Sequence, residues 1–199
     1  MKILPVKRAL LSVTDKSGLD EFARFLDGEG VELVSTGGTR KKLLDEGLPV
    51  TSVSDVTGFP EILGGRVKTL HPHVHGGVLA DKDDPQHLET LKELDIKPFD
   101  LICVNLYNFA AAVRDGLDLK AAVEQIDIGG PTMLRASAKN FHSILVIPDP
   151  KYYARAVEEM KANNGGVTLE FRKEMAALTF KLTSEYDKMI TDYLSANDI

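Results

Sequence analysis

The 199-residue sequence holds a single cysteine, Cys103. One thiol excludes an internal disulfide, so a fold held by packing alone in a reducing compartment is expected. Cys103 sits inside the apolar run from Phe99 to Tyr107, where a free cysteine reads as a buried strand residue rather than a nucleophile. Long apolar stretches are also missing. The opening MKILPVKRALLSV is interrupted by Pro5, Lys7 and Arg8, and no segment approaches the roughly 20 apolar residues of a membrane span. A cytoplasmic location with no membrane partner is the expectation. Positive charge is not in excess, with 24 Lys and Arg against 30 Asp and Glu and a formal net charge of -6. That balance argues against nucleic acid as a partner, though not against a local basic pocket for one small anion. Neither GxxxxGK[ST] nor GxGxxG occurs, so neither a P-loop nor a dinucleotide cofactor is expected.

What is present is an ordinary globular composition, 43% hydrophobic and 27% charged. Short apolar runs alternate with helical spacings. Arg8 to Val13, Val31 to Ser35, Val50 to Val53, Asp100 to Leu106 and Ile144 to Ile147 read as strands. Leu19, Phe22, Ala23, Phe25 and Leu26 fall at helical spacing, ended by Gly28 and Gly30, and Thr39 to Glu46 and Pro85 to Leu94 read as further helices. Continuous apolar strands separated by helices predict an α/β three-layer sandwich with a mostly parallel sheet. From Lys151 onward the pattern is helical, with a break at Asn163 to Val167. One domain over residues 1–199 is expected.

In open parallel sheets, ligands bind where strands end and helices begin. There the sequence places Ser12-Val13-Thr14-Asp15-Lys16-Ser17-Gly18 and Ser35-Thr36-Gly37-Gly38-Thr39, with Asn105 and Tyr107 after the long apolar strand. Helix starts attract phosphate through their unpaired N–H groups, glycines admit a close approach, and Lys16 adds a full charge. Plain N-caps have the same residue preferences, but two such loops after adjacent strands point to a phosphate site.

Two further segments carry polar groups. Residues 58–77, GFPEILGGRVKTLHPHVHGG, place Arg66 and Lys68 two apart, and His71, His73 and His75 likewise. Read as extended chain, each set shares one side. No Asp, Glu or Cys lies among the histidines, so no metal site is expected. Residues 124–140, EQIDIGGPTMLRASAKN, start a helix at Gly129-Gly130-Pro131, with Asp127 just ahead of it. Thr132, Arg135 and Lys139 then share one helical face.

SVTDKSGL, STGGT, TGFPEILGGRVKTLHP, NLYNF and EQIDIGGPTMLRASAKN occur in this order, and in this order the chain resembles the IMP cyclohydrolase domain of bifunctional purine biosynthesis proteins from about Arg8 to the C-terminus. The resemblance implies the methylglyoxal-synthase-like fold. It implies closure of 5-formamidoimidazole-4-carboxamide ribotide to IMP with loss of water, the last step of de novo purine biosynthesis, without metal or organic cofactor. By residue, it implies substrate binding by Ser12, Thr14, Asp15, Lys16, Thr36, Gly37, Gly38, Thr39, Arg66, Val67, Thr69, Asn105, Ile128 and Gly129. It implies proton transfer by Lys139 and Asp127, and oxyanion stabilisation by Lys68 and Tyr107. Departures are Asn108, where the family usually has proline, Ser137 in the alanine-rich stretch, and Phe141 where histidine is frequent. The transformylase domain of the bifunctional proteins has no counterpart in these residues, so a separate transformylase is the expected supplier of substrate. A homodimer is compatible with the apolar helix around Met175, Leu178, Phe180 and Leu182.

Overall fold

The computed structural model describes residues 2–196, the side chains of Ala112 and Val113 excepted. The chain runs through β1 (Ile3–Pro5), β2 (Arg8–Ser12), α1 (Leu19–Gly28), β3 (Glu32–Ser35), α2 (Gly37–Asp45), β4 (Thr51–Ser52) and α3 (Val53–Thr57). An irregular stretch with a 3-10 turn at Leu63–Gly65 leads to α4 (Pro72–Leu79), α5 (Pro85–Glu93), β5 (Leu101–Val104), α6 (Phe109–Arg114), α7 (Leu119–Val123), α8 (Gly129–Lys139) and β6 (Leu145–Ile147). Then come α9 (Tyr153–Ala162), β7 (Gly166–Thr168) and α10 (Leu169–Ala196).

The five-stranded sheet has the order β4-β3-β2-β5-β6, with every pairing parallel. Ala9, Leu10 and Leu11 of β2 and all of β5 and β6 are buried, as expected of strands covered on both faces. α1 packs on β3 and on α9, and the rings of Phe22 and Tyr153 stack at 4.5 Å. α8 packs on β5 and β6, with α4 and α10 against it. These are the three layers the sequence predicts. Cys103 lies buried in β5, 3.4 Å from the Tyr153 hydroxyl, and burial pushes its thiol pKa up to about 12.

Several local readings change. β4 stops at Ser52 because Ser52 and Asp55 form a reciprocal capping box that starts α3, which turns Val53 from a strand residue into a helical one. The break at Asn163 to Val167 runs into a strand, β7, which pairs antiparallel with β1 and ties the start of the chain to the α9–α10 connection. Residues 58–77 are not one extended strip. They turn at Gly58, form the 3-10 turn and enter α4 at Pro72. Arg172 on α10 is fully buried, and its guanidinium donates to the carbonyls of Phe141, Val167 and His142 at 2.8, 2.7 and 3.1 Å. It joins the end of α8 to β7.

Candidate active site

β2 lies at the centre of the sheet, flanked by β3 on one side and β5 on the other. The chain leaves β2 for β3 and β4, and later returns to build β5 and β6 on the opposite side. The loops after β2 and β5 therefore diverge, and an open α/β sheet forms its ligand crevice at such a point. A cavity of about 870 Å³ opens there, in the range that holds a drug-sized or nucleotide-sized ligand. Ser12, Thr14, Lys16, Thr36, Gly37, Gly38, Thr39, Arg66, Lys68, Thr69, Asn105, Tyr107, Asp127, Ile128 and Gly129 line it. Of the residues named from sequence, Asp15, Val67 and Lys139 are not on the wall.

The loop after β2 is held from two sides. Asn105 accepts the N–H groups of Thr14 and Asp15 at 2.7 and 3.0 Å and donates to the Asp15 carbonyl at 2.8 Å. The buried Thr39 hydroxyl accepts from the Val13 N–H and donates to the Val13 carbonyl, both at 2.9 Å. These hydroxyl and amide groups shape the wall through bonds within the protein. Asp15 accepts from the N–H and hydroxyl of Ser17 at 2.9 and 2.6 Å, and these bonds hold its carboxyl below the ordinary range. It acts inside the loop. Thr39→Val is expected to destabilise the chain by roughly 1–3 kcal/mol, since it leaves the buried Val13 groups unpaired; an unchanged denaturant midpoint would contradict this.

At the start of α2, Thr36 has extended backbone and its hydroxyl makes no capping bond. Gly37 has a φ of 54°, a left-handed conformation that glycine takes without strain. Thr36, Gly37 and Gly38 line the cavity at this helix start, whose first N–H groups have no partner inside the helix, and Lys16 lines it from the neighbouring loop, its ammonium 3.2 Å from the Thr14 carbonyl. Arg66 pairs with Glu124, and Lys68 pairs with Glu61 at 3.2 Å. A Cβ on Gly65 would lie 2.7 Å from the Glu61 carboxylate and 3.1 Å from the Lys68 ammonium, and one on Gly37 would lie 3.7 Å from that ammonium. The absence of a side chain at Gly65 leaves room for this ion pair, whereas a Cβ at Gly37 would make only an ordinary contact.

Asp127 forms the far wall. Its Oδ1 accepts the Gly130 N–H at 2.8 Å, and the Tyr107 N–H also turns toward the carboxyl. Burial raises its pKa above the ordinary value, opposed by those two N–H groups and by the Lys68 charge. A Cβ on Gly130 would fall 2.3 Å from Asp127 Oδ2 and 2.9 Å from Leu106. Gly130→Ala should therefore displace the carboxyl and lower turnover with little loss of stability; a crystal structure of the variant with Asp127 unmoved would refute this. Tyr107 is 46% exposed at the rim. Ile126, Glu124, Val123 and the Leu63–Gly65 turn line the cavity too, as do Val13, Val104, Gly130 and Met133. Ile126, Val123 and the turn residues bear no reactive group and so carry no signal in the sequence; the Glu124 carboxylate is taken up by Arg66.

The three histidines take structural roles. His71 caps α4, its Nδ1 accepting the His73 N–H at 3.2 Å. The His73 Nδ1 lies 3.2 Å from the Val56 carbonyl. Burial lowers the His75 pKa, which keeps the ring neutral.

The MGS-like domain model matches residues 18–132, more than half of the chain. The chain belongs to the MGS-like domain family. The model of the AICARFT/IMPCHase bienzyme matches residues 137–199. The bifunctional purine biosynthesis protein PurH of Mesorhizobium japonicum is 51% identical over 193 residues, 97% of this chain and 36% of that protein. The chain thus spans about a third of the length of that curated relative. The crystal structure of ForH is similar with a TM-score of 0.86 at 33% identity, covering 96% of this chain and 97% of that one.

In this MGS-like chain the two matched regions meet within α8. The helix start, with Gly129, Gly130 and Met133, lines the cavity, whereas Lys139 ends the helix on the surface. Ten residues of helix separate Gly129 from Lys139 by about 15 Å, at about 1.5 Å per residue. Arg135, on the same helical face as Lys139, lies over the Phe180 ring of α10. The expected meeting of Lys139 with Asp127 does not occur within one chain, because the two residues sit at opposite ends of α8.

Proposed function

We propose that the chain, as one unit, is an IMP cyclohydrolase that closes 5-formamidoimidazole-4-carboxamide ribotide to IMP in the cytoplasm. The observation that carries this is the placing of the half-buried Asp127 carboxyl, the Lys68 ammonium and the anion-accepting start of α2 around one cavity. The kinship with PurH supports the substrate class. A transformylase outside these residues supplies the formylated nucleotide.

The 5′-phosphate is held by Lys16, the Thr36 hydroxyl and the N–H groups of Gly37 and Gly38, with Arg66 beside them. The carboxamide nitrogen attacks the formyl carbon, forming the ring C–N bond while the formyl oxygen gathers negative charge. Lys68 and Tyr107 stabilise that oxygen. Asp127 takes a proton from the attacking nitrogen and returns it to the oxygen; the formamide N–H gives up the second proton as the C–O bond breaks and the ring C=N bond forms, and the oxygen departs as water. Both reacting groups belong to one molecule, so the walls contribute orientation as well as proton transfer. An ultraviolet assay of IMP formation from the formylated ribotide tests the reading. Phosphate release from a triose phosphate with no IMP formed would replace it with a lyase.

Lys16→Ala is expected to raise KM about 10-fold or more with kcat nearly unchanged, from the loss of a charged hydrogen bond. Unaltered KM would remove Lys16 from the phosphate site. Lys139→Ala separates two arrangements. A pocket complete within one chain keeps turnover within about twofold, as for surface changes remote from a site. A larger loss would place this ammonium in the pocket of a second copy and make the enzyme a homodimer.

A further inference from the structure

We infer that Tyr186 is a positioning residue for the ring closure, its hydroxyl fixing the turn that presents Asp127. The inference rests on the proposed cyclohydrolase reading. Asp127 stands just ahead of α8, where backbone N–H groups have no partner inside the helix. Its own N–H donates to the Tyr186 hydroxyl oxygen at 2.8 Å, across 59 positions of sequence. Tyr186 is 4% exposed and comes from α10, the 28-residue helix packed against α8. An unpaired donor buried there would cost stability or draw the turn outward to meet water. With the bond made, the Asp127 backbone is fixed at its N–H and the Asp127 carboxylate at the Gly130 N–H, 2.8 Å away.

The neighbouring strap is braced from the same helix. Tyr193 of α10 packs edge-on against Phe109 at 5.4 Å, two positions past Tyr107. α10 therefore reaches both segments that carry reacting groups on the far wall. Apart from Ser12, Val13, Thr14, Lys16 and Met133, the cavity residues lie inside the part matched by the MGS-like model, residues 18–132, whereas Tyr186 lies in the part matched by the bienzyme model, residues 137–199. What the C-terminal region adds to the shared pocket is this support for the carboxyl.

Tyr186→Phe deletes one oxygen and keeps the ring. The comparison variant is Thr179→Ala, also buried on α10, whose hydroxyl bonds only within the helix to the Met175 carbonyl at 2.7 Å. Steady-state kinetics of both, with thermal melts and peptide-level hydrogen exchange over residues 125–130, decide the matter. The expected result for Tyr186→Phe is a fall in kcat of roughly 10-fold with KM within about twofold, the pattern of a group acting on the transition state through another. Exchange at the Asp127 amide should quicken in the same variant. Thr179→Ala should melt lower while keeping kcat and the slow exchange. Wild-type kcat in Tyr186→Phe, equal kcat losses in both variants, or unchanged exchange at Asp127 would each overturn the inference. A wild-type chain that forms no IMP would instead remove the proposed reaction, and the exchange data would still report whether Tyr186 holds the turn.

Discussion

Asp127→Asn is expected to abolish most ring closure while making the protein more resistant to heat at neutral pH. The first effect follows from the role proposed for the carboxyl in moving a proton, a contribution of roughly 10²–10⁴-fold in turnover. The amide keeps the shape and can still accept the Gly130 N–H, so substrate affinity should change little. The second effect follows from burial. Asp127 has its pKa raised chiefly by desolvation, so the folded state holds its proton more tightly than the unfolded chain does. Above the raised folded value the carboxylate is charged in both states, and its desolvation opposes folding. As pH falls through the raised folded value toward the unfolded one, that cost disappears. The asparagine variant should therefore melt above wild type at pH 7, with the gap closing on acidification. Melts of both proteins across pH 4–8, beside the IMP assay, measure each part. A variant less stable than wild type at pH 7 would mean that the carboxylate's hydrogen bonds outweigh its desolvation. Retained turnover would remove Asp127 from the chemistry.

Lys68→Ala should be nearly as damaging, lowering kcat/KM by roughly 10²–10³-fold, the usual loss for one oxyanion-stabilising donor. Its effect has two origins. The ammonium lies between the start of α2 and Asp127, so its loss removes a positive charge felt at both ends of the substrate. It also uncovers Glu61, now paired with it at 3.2 Å, leaving a carboxylate turned toward an anionic ligand. Glu61→Gln in the Lys68→Ala background should then recover part of the lost affinity without restoring kcat. If the double variant is no better than the single one, Glu61 does not face the ligand, and the whole loss belongs to the ammonium. A cycle of the four proteins isolates the coupling.

The layers of the fold were legible because the burial pattern is simple. β5 and β6 are apolar throughout, β2 is apolar from Ala9 to Leu11, and Leu19, Phe22, Ala23 and Leu26 mark the buried face of α1. The pair β1 and β7 escaped notice because three-residue strands, one containing Pro5 and one beginning at Gly166, leave no alternation to read. β4 was drawn too long because its apolar run crosses a helix start that Ser52 and Asp55 decide. For the site, the loops after β2, β3 and β5 could be placed from strand order, since parallel sheets collect their loops at one edge; the Asp127 turn follows α7 rather than a strand, and the resemblance brought it into the site. The side-chain roles of Thr39 and Asn105 could not, because their partners lie 26 and about 90 positions away. Lys139 shows the limit of helical spacing most plainly. Periodicity correctly put it on one face with Arg135, but which end of α8 meets the cavity depends on tertiary packing. Tyr186 was invisible for the same reason, being one aromatic among many on a long helix.

The lone sulfhydryl of β5 gives the protein a natural gauge of its own opening. With its thiol raised to about 12 and no exposure to water, Cys103 is inert toward maleimide or iodoacetamide until the sheet comes apart. The pace of alkylation under native conditions then counts excursions to the open state, one label per molecule. Any compound that seats itself at the carboxyl edge of the strands should slow that labelling in proportion to its occupancy, which turns a buried structural residue into a ligand-screening readout needing no substrate at all.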